Sequence, residues 1–337
     1  MNQLDSHFDV HFYIFSNNLE LEDRLNNSTV HSCKNIFMGI VGFLKVVHSI
    51  KPDAILSSIA DLNMLIITLR IMFPNKTKIF VREAVAPTAG LNLYRFPLLM
   101  RFFYCRLYPH ADAIICLSNM MRQDLAENIG IDVKKIVVIP NGVGVKRQLQ
   151  LPIETVFSRV ILAVGRLHKQ KGYDQLIHGF ARFVERPVGH DYRLVIIGEG
   201  SQRPILESLI SKYGLDDRIM MNGAIADPTQ LYREASFLAM PSRYEGVSNV
   251  MIEAMINGLP VLATICHTSA ECYINDTNGV LIESCVVDEI VQGLTKMAEL
   301  VGQFDRNEIA YDARRTLGLD AISEQYVSLI QKVLSGR

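Results

Sequence analysis

The chain has no Cys-x-x-Cys pair: Cys33, Cys105, Cys116, Cys266, Cys272 and Cys285 are scattered, most of them in apolar runs. That pattern argues against a disulfide framework or a zinc site and predicts reduced, buried thiols in a cytosolic protein. Net charge is almost absent, −1 over 337 residues, so no global field gathers nucleic acid. No apolar run reaches the ~18–20 residues that a bilayer crossing needs. "IFMGIVGFLKVVHSI" and "LNMLIITLRIMF" come nearest, but Lys45 and Arg70 interrupt them, and both are expected to be buried amphipathic helices. The opening "MNQLDSHFDVHFYIF" has neither the basic start nor the apolar core of a secretory signal. No short tandem repeat or low-complexity tract is visible.

What is present is length, apolar content and alternation. A chain of 337 residues is too long for one ordinary core, which predicts two domains. A composition of 49% hydrophobic and 20% charged residues is that of a folded globular protein. In the first half the strand-like runs "DVHFYIF", "DAILSS", "TKIFVRE", "DAIICLS" and "KIVVIP" are separated by helix-length segments. One of these, "LYRFPLLMRFFYCRLY", is expected to be bent by Pro97. The alternation pauses at "PNGVGVKRQLQLPIET", the predicted linker. It resumes with "RVILAVG", "YRLVIIG", "RIMMNG", "SFLAMPS", "PVLAT" and "GVLIE", and a helical tail begins near Glu289. The expected fold class is α/β, with doubly wound parallel sheets over residues 1–145 and 150–320. Such sheets bind ligands beyond the carboxyl ends of their strands, so the chemistry belongs in the loops that follow them.

Three of those loops stand out. In "AVGRLHKQKGYDQL", Arg166 and Lys171 precede a helix, with Gly172 at its start. Cations at a helix N-terminus suit a diphosphate, although a solvated basic loop explains the stretch equally well by itself. In "VIIGEGSQRPIL", Gly198 and Gly200 let the backbone approach a ligand, or simply make a tight turn. In "MPSRYEGVSNVMIEAMINGLPV", Ser248 or Asn249 can cap a helix that Gly258 ends. Gly246 admits a ligand to the backbone, and the N–H groups of residues 246–250 are expected to face it. Glu245 is expected at the loop mouth and Glu253 near the first helical turn, leaning back. Ionised carboxylates are acceptor-only, which suits vicinal hydroxyls. The plain alternative is one acid on a helix dipole and one exposed loop acid. Cations for phosphates, glycines for a base and acids for hydroxyls together describe a nucleotide-sugar pocket.

On these residues the second half resembles the retaining glycosyltransferases of family 4, which have the GT-B architecture of two Rossmann-like domains facing a cleft. The resemblance rests on "VGRLHKQKG", "LVIIGEG", "MNGAIADPTQLYREASFLAMPSRYEGVSNVMIEAMINGLPVLAT" and "NGVLI", including the E-x7-E spacing of Glu245 and Glu253. The first half is similar more loosely, through "KPDAILSS", "TKIFVREAVAP", "ADAIICLSNMMRQDL" and "IPNGV". The resemblance implies retaining transfer of a hexose-type sugar from a UDP- or GDP-sugar to a glycan or lipid-linked acceptor, in bacterial surface polysaccharide synthesis. It implies Arg166 and Lys171 on the diphosphate, Glu245 at the donor sugar and Glu253 on the ribose. Backbone N–H groups of Gly246, Val247 and Ser248 would meet the sugar or phosphate. Gly200 and Gly223, in the "NGAIA" turn, would lie near the base. No metal and no cofactor are implied, because the two cations replace a divalent ion. A final helix over 321–337 would return to the first domain.

The chain also departs from the family. Its opening strand and glycine-rich loop have no visible counterpart here; the chain is expected to begin at the next strand, and Gly39 and Gly42 lie in a helical pattern. Glu83 stands near the place where many members carry a histidine, and reads as an acceptor-side residue or as a surface acid. Two alternatives stand beside this reading: a catalytically impaired donor-binding pseudoenzyme or partner subunit, which the missing strand and loop favour, and a nucleotide-sugar epimerase, which shares the two-domain plan. Arg95, Arg101 and Arg106, set among aromatic and aliphatic residues, read either as the edge of a core helix or as a surface for an anionic membrane. The expected location is the cytoplasm, with peripheral contact at the inner membrane face.

Overall fold

The first half of the chain contributes six short strands: β1 (His11–Ile14), β2 (Thr29–Ser32), β3 (Ala54–Ser58), β4 (Lys78–Arg82), β5 (Ala113–Cys116) and β6 (Ile136–Val138). This computed structural model describes residues 7–15, 29–32, 36–74, 76–91, 94–144, 158–265 and 270–336. Strands β3 to β6 pair in chain order as a four-stranded parallel sheet. Strands β1 and β2 form a separate parallel pair. The sequence does not announce β2: "TVHS" has no apolar alternation, and pairing with β1 makes it a strand. The chain divides into two units, Met1–Pro140 with Ile322–Arg337, and Asn141–Ala321. The C-terminal segment thus belongs to the first unit. From the last helix, Leu319–Leu334, Ile322 and Leu329 join the cluster of Phe80, Ala113 and Ile115.

In the helix Ile36–Ile50, the Gly39 carbonyl accepts from the Tyr13 hydroxyl at 2.7 Å, and a Cβ on Gly42 would meet that oxygen at 2.5 Å. These glycines therefore serve helix-to-strand packing. Pro97 does not bend a helix. It begins one, Pro97–Leu107, after a separate short helix, Pro87–Leu91. At the first helical position proline has no hydrogen bond to lose, and its fixed φ is already helical. Nor is Pro97–Leu107 a core helix: Tyr104 is its one buried residue.

The second unit holds β7 (Val160–Val164), β8 (Arg193–Ile197), β9 (Ile219–Met221), β10 (Phe237–Met240), β11 (Val261–Thr264) and β12 (Gly279–Ile282). All are parallel, in the order β12-β11-β10-β7-β8-β9. Except in the edge strand β9, where Met220 is exposed, their central residues are buried on both faces, as in Ile161, Leu162 and Ala163, which is why these strands read as unbroken apolar runs. Tyr173–Phe183 packs against Arg203–Lys212 and Val287–Leu300. Asn249–Ile256 packs against Thr229–Glu234 and Arg306–Leu317. The chain enters at β7, runs outward to β9, then returns to the other side of β7 with β10. Neighbouring strands β7 and β10 therefore send their loops in opposite directions, which is the topological switch point of a doubly wound sheet.

Most of the predicted linker falls on residues 145–157, outside the described residues, as do Cys33 and Cys266. The four described cysteines are free. Cys116 is buried and Cys105 and Cys285 are intermediate, but Cys272 is exposed, because it sits in a surface 3-10 turn rather than a strand. Among the described residues no helix is long and apolar enough to cross a membrane.

Candidate active site

At the switch point the loops after β7 and β10 are locked together. The first loop ends in a 3-10 turn, Lys169–Lys171, followed by Gly172 at φ 70°. A Cβ on Gly172 would lie 2.0 Å from the Pro241 carbonyl oxygen, so only glycine lets the two backbones touch here. Arg243, from the second loop, forms a two-pronged pair with Asp174 at 2.8 and 2.7 Å and donates to the Lys169 carbonyl at 2.6 Å. Its own N–H donates to the Gln170 carbonyl at 2.8 Å, and the Gln170 amide donates to the Tyr244 carbonyl at 2.9 Å. Partial burial opposes charge on Asp174, but the hydrogen bonds from Arg243 outweigh it and hold the carboxyl below its usual range.

This clamp brings together two of the residues singled out from the sequence. The Lys171 stem runs over Gly165, and its Nζ donates to both oxygens of Glu245, at 2.6 and 2.7 Å. The Ser242 hydroxyl donates to the same carboxylate at 2.9 Å. Lys171 is only 9% exposed, so its ammonium needs a partner, and Glu245 supplies one. Burial, then the nearby Glu245 charge, pushes the Tyr173 hydroxyl well above its ordinary value and keeps it neutral.

The helix that follows runs from Asn249 to Ile256. Glu253 is thus its fifth residue, just past the first turn. Its Oε2 accepts from the Tyr232 hydroxyl at 2.8 Å, and Tyr232 is buried. Ser248 occupies the N-cap position but makes no capping bond; its hydroxyl is buried without a partner among the described residues. The Asn249 side chain does not cap either, and accepts instead from the Asn141 amide at 2.7 Å. The backbone N–H groups of residues 246–250 have no protein acceptor among the described residues. Unclaimed donors at a helix N-terminus, two of them on the buried residues Val247 and Ser248, form a ready anion site.

The other sequence candidates are placed differently. Arg166 is exposed, and its side chain makes no hydrogen bond or ion pair among the described residues. No described contact joins Arg166 or Glu253 to the Lys171–Glu245 pair. A Cβ on Gly200 would meet the Leu167 carbonyl oxygen at 2.4 Å, so the close approach at this glycine is loop against loop. The Gly223 carbonyl accepts from the Gly198 N–H at 2.7 Å, joining the loops after β8 and β9. Arg243, Asp174, Ser242 and Tyr232 were not legible as site residues. Nothing in the local sequence links Arg243 to Asp174, 69 positions away.

In the first unit, Glu83 follows β4 directly and is 3% exposed, which overturns the surface-acid reading. It accepts from the Asn63 amide at 3.0 Å and from the Tyr108 hydroxyl. Burial raises its pKa from 4.5 to about 7, against the lowering effect of those donors. A carboxyl so enclosed offers a sugar little surface to touch. Because the folded pKa is the higher one, the fold binds this proton more tightly than the unfolded chain does. The stabilisation is complete below pH 4.5 and is lost as pH rises through 7. The Glu83→Gln variant keeps an acceptor for both donors without the charge. We expect it to melt above the parent at pH 8, by at most about 3 kcal/mol in stability, and level with it at pH 4.5. Melting curves across that range check this; parallel pH profiles would contradict it.

Both halves of the chain are similar to known proteins. Residues 158–299 match the family model described as glycosyl transferases group 1, and residues 6–147 match that of glycosyltransferase family 4. One relative is the N-acetylgalactosamine-N,N'-diacetylbacillosaminyl-diphospho-undecaprenol 4-alpha-N-acetylgalactosaminyltransferase of Campylobacter jejuni. It is 32% identical over 232 residues, covering 68% of this chain and 62% of that protein. The chain spans about three-fifths of the length of the first curated relatives it matches. Among solved structures, a glycosyltransferase from Rickettsia africae superposes with a TM-score of 0.76 at 16% identity, covering 96% of this chain and 89% of its own. HepE of Anabaena in complex with UDP superposes with a TM-score of 0.75 at 17% identity, covering 93% and 89%.

Proposed function

Because the chain belongs to the family 4 (group 1) glycosyltransferases and has their GT-B fold, we propose that it moves a sugar from a nucleotide-diphosphate donor to a glycan or lipid-linked acceptor. The observation that carries this reading is the contact of Lys171 with Glu245 at the switch point, one residue before the unclaimed donors of residues 246–250. The donor diphosphate takes the Lys171 ammonium and the helix N-terminus, with the Ser248 hydroxyl completing the cradle. Glu245, still held by Ser242, is then free to meet the donor sugar. Arg166, exposed beyond β7, folds over the phosphates. Glu253, aligned by Tyr232, takes the ribose hydroxyls, and the loops of Gly200 and Gly223 receive the base. As the glycosidic bond breaks, negative charge collects on the departing diphosphate, and preorganised donors stabilise it there. In this reading Lys171 and Arg166 supply the charge that a divalent ion would otherwise bring.

The name of the Campylobacter relative gives a 4-alpha transfer onto a diphospho-undecaprenol-linked sugar, which supports a lipid-linked acceptor and an α-linked product, the product of retention from an α-linked donor. The complex of HepE with UDP supports a uridine donor. Bacterial surface polysaccharide synthesis, at the cytoplasmic face of the membrane and in peripheral contact with it, is the setting these features favour. The test is a thermal-shift series across UDP- and GDP-sugars. A donor at about a hundred times its Kd adds about 2.7 kcal/mol to stability, a shift of several degrees. Product from the best donor is then expected to keep the donor's anomeric configuration by NMR. A flat response to every nucleotide sugar and nucleoside diphosphate would remove the proposal, and inversion would remove its stereochemistry.

A further inference from the structure

The helix Pro97–Leu107 faces its apolar side outward. Leu98, Leu99, Phe102, Phe103 and Arg106 follow the three-and-four spacing that puts residues on one helical face, and Arg95 lies just ahead of the helix. Leu98 is 83% exposed, Phe102 54% and Leu99 51%, and Phe96, just ahead of the helix, is 60% exposed. The opposite side is anchored. Tyr104 is buried and stacks on Tyr108, whose hydroxyl donates to Glu83. The apolar face is therefore held out by a rigid mount and is not the loose end of a loop.

The charged residues on that face itself are all arginines. Arg95 lies over the Phe96 ring at 5.5 Å and Arg106 over the Phe102 ring at 5.6 Å, so cations and aromatic rings form one surface. Arg101 is exposed and donates to the Asn128 carbonyl at 3.1 Å. No acidic residue occurs from Ala84 to Ala111. Acids of the neighbouring elements are hydrogen-bonded, including exposed Glu127, which accepts from the Gln123 amide at 3.0 Å. Asp61 accepts from the Tyr94 hydroxyl, Asp112 from Arg70 and Lys78, and Asp124 from Thr88 and Asn128. A helix of eleven residues is too short to span a bilayer but long enough to lie in its surface.

We propose that this face docks on an anionic lipid bilayer. Phe96, Leu98, Leu99 and Phe102 enter the boundary between headgroups and acyl chains. The arginines remain at the level of the lipid phosphates, which a guanidinium engages with its planar fork. This deepens the reading of a lipid-linked acceptor given above: the chain sits on the surface that holds such an acceptor. The docking itself requires no substrate, so the two readings can fail separately.

The test is flotation of the full chain with phosphatidylglycerol-rich vesicles and with pure phosphatidylcholine vesicles at low salt. The chain is expected to float with the first, to float far less with the second, and to lose most of its binding at high salt. The double variant Leu98→Asp with Phe102→Asp is expected to lower the bound fraction about tenfold. Arg95→Gln with Arg106→Gln is expected to erase the preference for anionic lipid. These side chains are exposed, so melting temperature and the thermal shift given by UDP should match the parent in both variants. Three results would overturn the proposal: no flotation of the parent at low salt, flotation of the aspartate variant like the parent, or a parent dimer that the aspartate variant makes monomeric. The last would make the face an interface between copies. Flotation without any UDP shift would leave the docking intact and count against the donor site alone.

Discussion

Lys171→Ala is expected to slow sugar transfer about 10²–10³-fold in a protein that still folds, equivalent to about 2.7–4 kcal/mol at the transition state. Lys171 is the cation that the two-loop clamp delivers to the switch point, and it is already desolvated before a donor arrives. In the resting chain its charge is spent on Glu245. In the proposed reaction that charge passes to the diphosphate as negative charge develops on it, so its loss falls on kcat more than on KM. Glu245→Ala is the companion: it frees Lys171 but removes the acceptor at the donor sugar. Lys171→Arg is expected to rescue only part of the rate, because a planar fork places its donors differently from a single ammonium. Initial rates against donor concentration measure all three. If both alanine variants turn over near the parent rate, the site lies elsewhere.

Arg306→Ala is expected to cost the second unit about 3–5 kcal/mol of stability. Arg306 is 6% exposed and donates to three carbonyls: Gly258 and Ala235 at 3.0 Å, and Tyr232 at 2.8 Å. Those carbonyls end the helices Asn249–Ile256 and Thr229–Glu234, which leave C-terminal acceptors unfilled as every helix does. One guanidinium therefore finishes two helices, and no carboxylate partners it among the described residues. Burial draws its pKa down to about 10, still far above neutral, so it stays charged in use. Alanine would strand three buried acceptors. Lysine, with a single point of charge, is expected to recover only part of the loss. Tyr232 also holds Glu253, so the same variant should loosen the ribose side of the proposed site. Urea unfolding reads the first effect, and the UDP thermal shift reads the second. An unchanged urea midpoint would show that water replaces the guanidinium at little cost.

Much of this was legible in the order of residues. Parallel strands buried on both faces must be continuously apolar, so "RVILAVG" and "SFLAMPS" betray themselves without any partner in view. The alternation of such runs with helix-length segments requires crossover connections and hence doubly wound sheets. Lys171 and Glu245 stand out because each follows a strand whose loop must open at the carboxyl edge. The exceptions have physical causes. β2 has no pattern of its own and exists through pairing. Pro97 carries two meanings, a kink or a first turn, and only the surrounding chain selects one.

The rest was decided in three dimensions. Helical periodicity predicts that the residues around Arg95 and Phe102 share a face, but not whether that face meets the core or water. Glu83 reads as an ordinary acid until Asn63 and Tyr108, 20 and 25 positions away, close around it. Arg243 and Asp174 become partners only because β10 returns to the side of β7. Propensity and periodicity act between near neighbours along the chain, so the sequence alone determines which segments become strands and helices. Burial and ion pairing act between loops that strand order brings together, and that order exists only once the sheet has formed.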